Sequence, residues 1–167
     1  MGPGASFHLP LLSFLVISFL QATSAGSSCP TGWMFFEKSC YGLFNQVPLK
    51  FTEAEKQCQS SGGNGHLASI MNGQEMSVVA AYVKDLYKAG KPVWIGLHSY
   101  DLPKSKAWKW TDSSVVSYHN WAPGQPSQAS GDELCVELMA GDYLTWKAAP
   151  CTGKHPFLCR APLEKKG

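Results

Sequence analysis

Apolar and polar positions separate a short leader from the rest of the chain. Residues 9–20 read LPLLSFLVISFL, an almost unbroken apolar run that is followed by small residues as far as Gly26. An apolar run of this length before small residues is typical of a secretory signal peptide, and it is shorter than the roughly 20 residues that span a bilayer. We predict that residues 1–25 are a signal peptide cleaved near Ala25, and that the mature chain is secreted and has no membrane span.

The next segments predict a hairpin and a short helix. Residues 29–43 place aromatic and small residues on both sides of a polar turn, a pattern that predicts a β-hairpin. Residues 52–61 predict a short helix in which Thr52 and Glu55 form a capping box. Cys58 lies on the apolar face of this helix, so this cysteine is expected to point inward and to bond to a distant part of the chain.

A longer helix is predicted for residues 72–88. Asn72 suits the N-cap position, and Gly90 marks the end of the pattern. The apolar side chains recur at helical spacing and form one stripe, which predicts that this side of the helix faces the core. The members of the stripe are Met76, Val79, Ala80, Val83, Leu86 and Tyr87.

Beyond Gly90 the pattern changes to short strands around one long polar segment. Residues 112–132 are rich in Ser, Gly, Pro and Gln and have no clear periodicity; loops of that length in a compact domain are usually functional or disordered. Two helices followed by short strands predict an α+β fold in one domain, residues 26–163, with a polar tail at residues 164–167. Strands are predicted for the apolar or alternating runs at residues 93–97, 108–110, 134–139, 143–146 and 156–159.

Cysteine count and charge narrow the class of protein. An even number of cysteines in an exported chain implies a disulfide framework, and the absence of a Cys-x-x-Cys pair disfavours zinc as the alternative. The net charge of +2 is too small to indicate a nucleic acid or an acidic membrane as partner. No Gly-x-Ser-x-Gly motif and no phosphate-binding loop are present, so no enzyme is predicted. The six cysteines are Cys29, Cys40, Cys58, Cys135, Cys151 and Cys159.

Five stretches resemble the C-type lectin-like domain in their order along the chain. The resemblance covers residues 29–159 and is closest to small secreted members, namely the regenerating (Reg), eggshell and snake-venom proteins. It implies the long form of the fold, with two helices, small antiparallel sheets, a long loop region and the disulfides Cys29–Cys40, Cys58–Cys159 and Cys135–Cys151. The five stretches are Trp94-Ile95-Gly96-Leu97, Trp108-Lys109-Trp110-Thr111-Asp112, Gln125-Pro126-Ser127, Glu133-Leu134-Cys135 and Phe157-Leu158-Cys159.

The resemblance allows the calcium site of sugar-binding family members to be compared with this chain. Gln125 and Glu133 match two of the family's five ligand positions, and Pro126 matches its cis-proline. Ser127, however, stands where the family has Asn or Asp. The remaining two ligands, an Asn and an Asp after the family's tryptophan, are replaced here by Lys147 and Ala148.

These replacements disfavour calcium. Calcium takes about 6–8 oxygen ligands, and the ammonium group of Lys147 repels it. No cofactor is therefore expected, with Gln125 and Glu133 as residual metal candidates. Lys147 is expected to pair with Glu133 instead, and Gln125 and Glu133 have an alternative role in holding the long loop by hydrogen bonds.

The predicted function is that of a secreted lectin that binds a glycan or polysaccharide independently of the usual calcium site. The candidate sugar-binding residues are Trp121, Gln125, Ser127 and Glu133, since polar groups suit a hydroxyl-rich ligand and an indole ring can stack on a sugar. The alternative is a module of the same fold that binds a protein receptor or a mineral, because fold alone does not choose function. The oligomeric state is left open.

Overall fold

The computed structural model describes residues 28–99, 107–127 and 133–163. The predicted signal peptide at residues 1–25 and the predicted tail at residues 164–167 lie outside the described residues, as do residues 128–132 of the long loop.

The described residues form two helices and one mixed sheet, which confirms the α+β prediction. The strands join in the order β1-β2-β8-β4-β6-β7, with β3 paired to β8 and β5 paired to β4. They form one sheet rather than several small ones, and β4 and β8 run parallel, whereas the other pairs are antiparallel. The elements are β1 (Met34–Phe36), β2 (Ser39–Leu49), α1 (Phe51–Ser61), β3 (His66–Leu67), α2 (Gly73–Leu86), β4 (Val93–Ser99), β5 (Lys109–Trp110), β6 (Leu134–Leu138), β7 (Trp146–Pro150) and β8 (His155–Pro162).

The predicted hairpin and disulfides are confirmed. Strands β1 and β2 pair in antiparallel fashion around a turn in which Glu37 has a φ of 54°. The three bonds are Cys29–Cys40, Cys58–Cys159 and Cys135–Cys151. They attach the N-terminal segment to β2, α1 to β8, and β6 to the segment after β7, so each bond joins elements that are separate in sequence.

The capping box predicted for α1 is wrong. The helix begins at Phe51 with Lys50 as N-cap, and the N–H of Lys50 donates to Glu53 Oε2 at 3.1 Å. Phe51 is buried against the Trp94 ring at 5.9 Å, and this packing starts the helix before Thr52. Glu55 is thereby free for a tertiary contact, and its carboxylate accepts the N–H of Leu67 at 2.8 Å.

The prediction for α2 is confirmed except at its C-terminal end. Asn72 Oδ1 accepts the N–H of Glu75 at 2.9 Å, as an N-cap does. The stripe from Met76 to Val83 is buried, but Leu86, the last helical residue, is 50% exposed. The helix ends four residues before Gly90, and Tyr87, the last member of the predicted stripe, lies just beyond the helix, half-buried against the core.

The sheet has a hydrophobic core on each face, and successive side chains of β8 point alternately into the two cores. Leu158 faces the core under α2, whereas Phe157 and Cys159 face the core under α1. Cys58 on α1 reaches Cys159 through the second core, which agrees with the inward orientation predicted for it. Both helices are thus fixed to opposite faces of the sheet.

The strand predicted at residues 143–146 is wrong. Tyr143 lies in a turn with a φ of 59°, and its hydroxyl donates to the carbonyl of Lys91 at 3.1 Å. The strand is β7, which continues to Pro150 and pairs with β6 in register. Its residues after Trp146 carry no alternating pattern, so only the pairing with β6 defines it.

A buried histidine on β4 predicts a stability change with pH. Burial lowers the pKa of His98 to about 4, while the unfolded chain takes up a proton near pH 6.5. The stabilising contribution is therefore fully present above pH 6.5 and is lost as the pH falls towards 4, by at most about 3 kcal/mol.

This pH dependence can be measured by urea unfolding followed by circular dichroism. His98→Gln should flatten the decrease in unfolding free energy between pH 7 and pH 4. Because His119 is exposed, His119→Gln is the control and should leave the decrease unchanged. Equal curves for the wild type and His98→Gln would exclude His98 as the cause.

Candidate functional site

The long loop is attached to the edge strand β7 by backbone hydrogen bonds. The N–H of Trp146 donates to Asn120 O and the N–H of Ala122 donates to Trp146 O, each at 2.9 Å. The side-chain amide of Asn120 also donates to Leu144 O at 2.8 Å. These bonds attach the first half of the loop to Trp146, the first residue of the edge strand.

Gln125 holds the turn that follows. The Gln125–Pro126 peptide bond is cis, as the resemblance implied. Gln125 Oε1 accepts two backbone N–H groups, from Ser127 and from Ala148, each at 3.1 Å. A carbonyl oxygen has two lone pairs, so the oxygen that would contact a metal in this family is already occupied by hydrogen bonds.

Few other side chains at the family's calcium-ligand positions could coordinate a metal ion. Ala148 offers only a buried methyl group, and Lys147 is exposed on β7 opposite Glu137. The predicted pair of Lys147 with Glu133 is wrong, because no ion pair joins them; Lys147 faces Glu137 across the ladder since both lie in paired strands. Within the described ranges, no three His, Cys, Asp or Glu side chains are grouped so as to hold a metal ion.

The oxygen ligands available in this chain therefore do not match those of the family's calcium site. Ser127 contributes a neutral hydroxyl, and Glu133 is the carboxylate that remains. Glu133 Oε1 is buried and has no hydrogen-bond partner among the described residues. One carboxylate and one hydroxyl fall short of the about 6–8 oxygen ligands that calcium takes.

Aromatic rings line the loop on the side of β5. Trp121 is half-buried and packs on Trp108 at 5.0 Å and on Trp146 at 5.9 Å between ring centroids. Trp94, Trp110 and Trp146 are buried, as expected of core residues. A groove of about 300 Å³ opens beside these rings, and its lining comprises Trp108, Lys109, Trp110, Ser113, Ser114 and Val116.

Three of the four predicted sugar-binding residues lie on the described part of the long loop, and the structure adds one residue that the sequence did not indicate. Trp121, Gln125 and Ser127 follow one another along the described loop, while Glu133 lies beyond the undescribed residues 128–132. Trp108 is the added residue. Its position two residues before the buried Trp110 is the only sequence signal, and it does not distinguish a groove residue from a core residue.

The family is shown by comparison with known proteins. The model of the C-type lectin domain matches residues 47–161. Regenerating islet-derived protein 4 of Mus musculus is 40% identical over 153 residues, which are 91% of this chain and 93% of that protein.

The chain belongs to the C-type lectin domain family. The solved structure of human lithostathine has a TM-score of 0.72 and 32% identity, and covers 80% of this chain and 99% of that chain. The crystal structure of a calcium-independent type II antifreeze protein has a TM-score of 0.68 and 29% identity, over 82% of this chain and 96% of that chain. The matched family is one of lectins and not of enzymes, and no described helix is long and apolar enough to cross a membrane.

Proposed function

We propose that this C-type lectin is secreted and binds a glycan or polysaccharide without calcium. The observation that carries the proposal is the pair of hydrogen bonds to Gln125 Oε1. In a calcium-dependent site the metal holds the loop and the sugar together. Here the N–H groups of Ser127 and Ala148 hold the loop, so the shape of the binding surface does not depend on a metal ion.

The proposed sugar-binding surface consists of Trp108, Trp121, Gln125, Ser127 and Glu133. Ligand sites combine apolar and aromatic walls with a few polar groups that fix orientation. The half-buried ring of Trp108 at the groove offers a face to the C–H groups of a sugar. The amide N–H₂ of Gln125 and the exposed hydroxyl of Ser127 offer hydrogen bonds to its hydroxyls.

Two relatives support the proposal. Regenerating islet-derived protein 4 supports a protein that consists of little more than this domain, because the match covers 93% of that protein. The antifreeze protein is a calcium-independent member of the same fold at 29% identity, which supports a fold that functions without the metal. It also supports the alternative of a non-sugar module, for which an unidentified protein or mineral surface is the ligand.

Binding of polysaccharide is expected to be insensitive to chelator. Calorimetric titration of the oxidised mature chain with mannan and with soluble peptidoglycan should give the same affinity in calcium and in EDTA. Loss of affinity in EDTA would contradict calcium independence. No binding of any glycan on an array, with or without EDTA, would contradict the proposed function and favour the alternative module.

Trp108→Ala is expected to lower glycan affinity at least about tenfold, since a central aromatic contact to a ligand contributes more than about 1.4 kcal/mol. Phe35 is the matched control, because its ring is 57% exposed on the distant hairpin. Phe35→Ala should leave the affinity unchanged. Equal losses in both variants would remove Trp108 from the proposed surface.

Two substitutions of Gln125 test whether its side-chain oxygen holds the loop. Gln125→Glu keeps an oxygen that accepts the N–H groups of Ser127 and Ala148, whereas Gln125→Ala leaves both donors without this partner. Gln125→Ala should therefore weaken glycan binding and speed amide hydrogen exchange at Ala148. Gln125→Glu should preserve the slow exchange at Ala148 and lose only the hydrogen bond from the amide N–H₂ to the sugar. Unchanged exchange at Ala148 in Gln125→Ala would show that other contacts hold the loop.

A further inference from the structure

A polar cavity lies at the end of the sheet where β3 pairs with β8, next to the segment that follows β5. Its volume is about 320 Å³, at the lower end of the range of about 300–1,000 Å³ for small-molecule sites. A cavity of this size has room for one sugar ring. The polar side chains that line it are those of Ser39, Asn64, His66, Asp112, Ser114 and Arg160.

The polar cavity adjoins the groove of the proposed sugar-binding surface. Ser114 lines both openings, with Trp108 and Ser113 in the lining of the groove and Asp112 in the lining of the cavity. Residues 112–114 are consecutive, so a ligand in the groove has to cross only this short segment to enter the cavity. A linear glycan therefore has a direct route from one opening to the other.

Hydrogen bonds hold the polar side chains of the cavity in place. Asp112 Oδ2 accepts the hydroxyl of Ser69, and Asp112 Oδ1 accepts the N–H of Ser114 at 2.9 Å. On the other wall, Nε of Arg160 donates to Ser39 Oγ at 3.0 Å. Because these groups are ordered before a ligand arrives, binding loses less free energy in fixing them.

His66 has one ring nitrogen left for a ligand. Its Nδ1 lies 2.6 Å from Glu55 Oε1, and Glu55 Oε2 accepts the N–H of Leu67 at 2.8 Å. Since a carboxylate accepts hydrogen bonds, Nδ1 is the nitrogen that carries the proton in the neutral ring. Nε2 is then an acceptor, and a sugar hydroxyl is a donor that matches it.

The unused hydrogen-bonding capacity of the other side chains also suits hydroxyl groups. The carboxylate of Asp112 has about four lone-pair sites and uses two of them for Ser69 and Ser114. The Ser39 hydroxyl accepts from Arg160 and has its own O–H to donate. The amide of the exposed Asn64 supplies both donors and an acceptor. A sugar hydroxyl, which donates and accepts, can bond to each of these groups.

The charge of the lining favours a neutral ligand over an anion. Among the described residues that line the cavity, Arg160 is the formal cation and Asp112 the formal anion, so the two charges balance. The guanidinium of Arg160 is moreover already engaged by Ser39, Ser69 and Glu75. Few of its N–H groups are left for a phosphate or a carboxylate.

We propose that the polar cavity is a second sugar subsite, which takes one unit of a neutral glycan whose neighbouring units lie in the groove at Trp108. The inference rests on the proposed function, because it extends the same bound chain past Ser114. Asn64, His66 and Asp112 hydrogen-bond the hydroxyls of that unit. Affinity therefore depends on chain length, since only a chain that reaches both openings makes all of these contacts.

Calorimetric titration in EDTA with linear manno-oligosaccharides, from mannose to mannohexaose, tests the subsite. Affinity should rise at least about tenfold at the length that first reaches the cavity, because several hydrogen bonds are added there. Asp112→Asn keeps an oxygen for the N–H of Ser114, and Asn64→Gly suits the φ of 54° at this position. Each variant should bind the longest chain about fivefold to tenfold less tightly and leave the affinity for the short chains unchanged.

Asp85→Asn is the matched control, because Asp85 on α2 is exposed and lines neither opening. It should leave the affinity at every length unchanged, while circular dichroism checks the fold of each variant. Trp108→Ala, in contrast, should lower the affinity for short and long chains alike.

The results separate the subsite from the proposed function. Affinity that does not rise with length, or an Asp112→Asn variant that binds the longest chain like the wild type, would overturn the subsite and leave the proposed function standing. Binding of peptidoglycan without any binding of mannan would do the same. Affinity that depends on Asp112 and not on Trp108 would remove the groove from the proposed surface and keep the cavity as a sugar site. No binding of either glycan would overturn both proposals.

Discussion

Removing the Cys58–Cys159 disulfide is expected to lower the free energy of unfolding by about 4–5 kcal/mol. The bond closes a loop with a sequence separation of 101 residues, and the loss of chain entropy in the unfolded state grows with loop length. It also fixes α1 to β8 through the second core, where both cysteines are fully buried. A loss of this size is a large fraction of the about 5–15 kcal/mol by which an ordinary domain is stable.

Urea unfolding of the double variant Cys58→Ala, Cys159→Ala measures this loss. The matched control is Cys29→Ala with Cys40→Ala, whose bond has a sequence separation of only 11 residues and should contribute about 2.8 kcal/mol. We expect the first variant to be unfolded or partly unfolded at 37 °C and the second to remain folded. A smaller loss from the long loop than from the short one would show that chain entropy does not determine these stabilities.

Arg160→Met is expected to destabilise the fold by about 3 kcal/mol. The carboxylate of Glu75 is 3% exposed and accepts hydrogen bonds from the Tyr41 hydroxyl and the Met71 N–H. Nη2 of Arg160 lies 3.5 Å from Glu75 Oε1 and supplies the compensating charge. Removing one partner of a buried pair leaves an uncompensated charge and costs about 3–5 kcal/mol, and partial exposure of Arg160 places the loss at the lower end.

A double-mutant cycle tests this pair. Arg160→Met and Glu75→Gln together should cost less than the sum of the two single changes, because the second change removes the charge that the first leaves unpaired. Lys88, which pairs with Asp85 in solvent, is the control, and Lys88→Met should change stability by less than about 0.5 kcal/mol. Additive costs in the cycle would mean that Arg160 acts through its contacts to Ser39 and Ser69 instead.

Tyr41 belongs to the same buried cluster as Glu75 and Arg160. Burial raises the pKa of the Tyr41 hydroxyl above its ordinary range, and the hydrogen bond to Glu75 raises it further. The guanidinium of Arg160 also lies over the Tyr41 ring, 5.7 Å from its centroid. The three side chains come from β2, α2 and β8, so this cluster connects the hairpin, the second helix and the last strand.

The local pattern of apolar and polar residues was sufficient to predict those features that depend on neighbours in sequence. The helix stripe from Met76 to Val83 and the N-cap at Asn72 are set by residues three or four positions apart, and both were predicted correctly. The disulfide pairs and the positions of the calcium ligands, in contrast, followed from the family resemblance and not from local pattern or the spacing of cysteines.

Only the tertiary structure decided the features that depend on contacts through space. Phe51 shifted the start of α1 because Trp94, some 40 residues later in sequence, packs on it. Strand β7 exists because β6 pairs with it, and Gln125 holds the loop because the fold brings the N–H of Ala148 within 3.1 Å. The sequence alone determined the secondary-structure periodicities, since these are properties of short segments. The groove at Trp108 and the polar cavity beside His66 arise only when distant segments pack together.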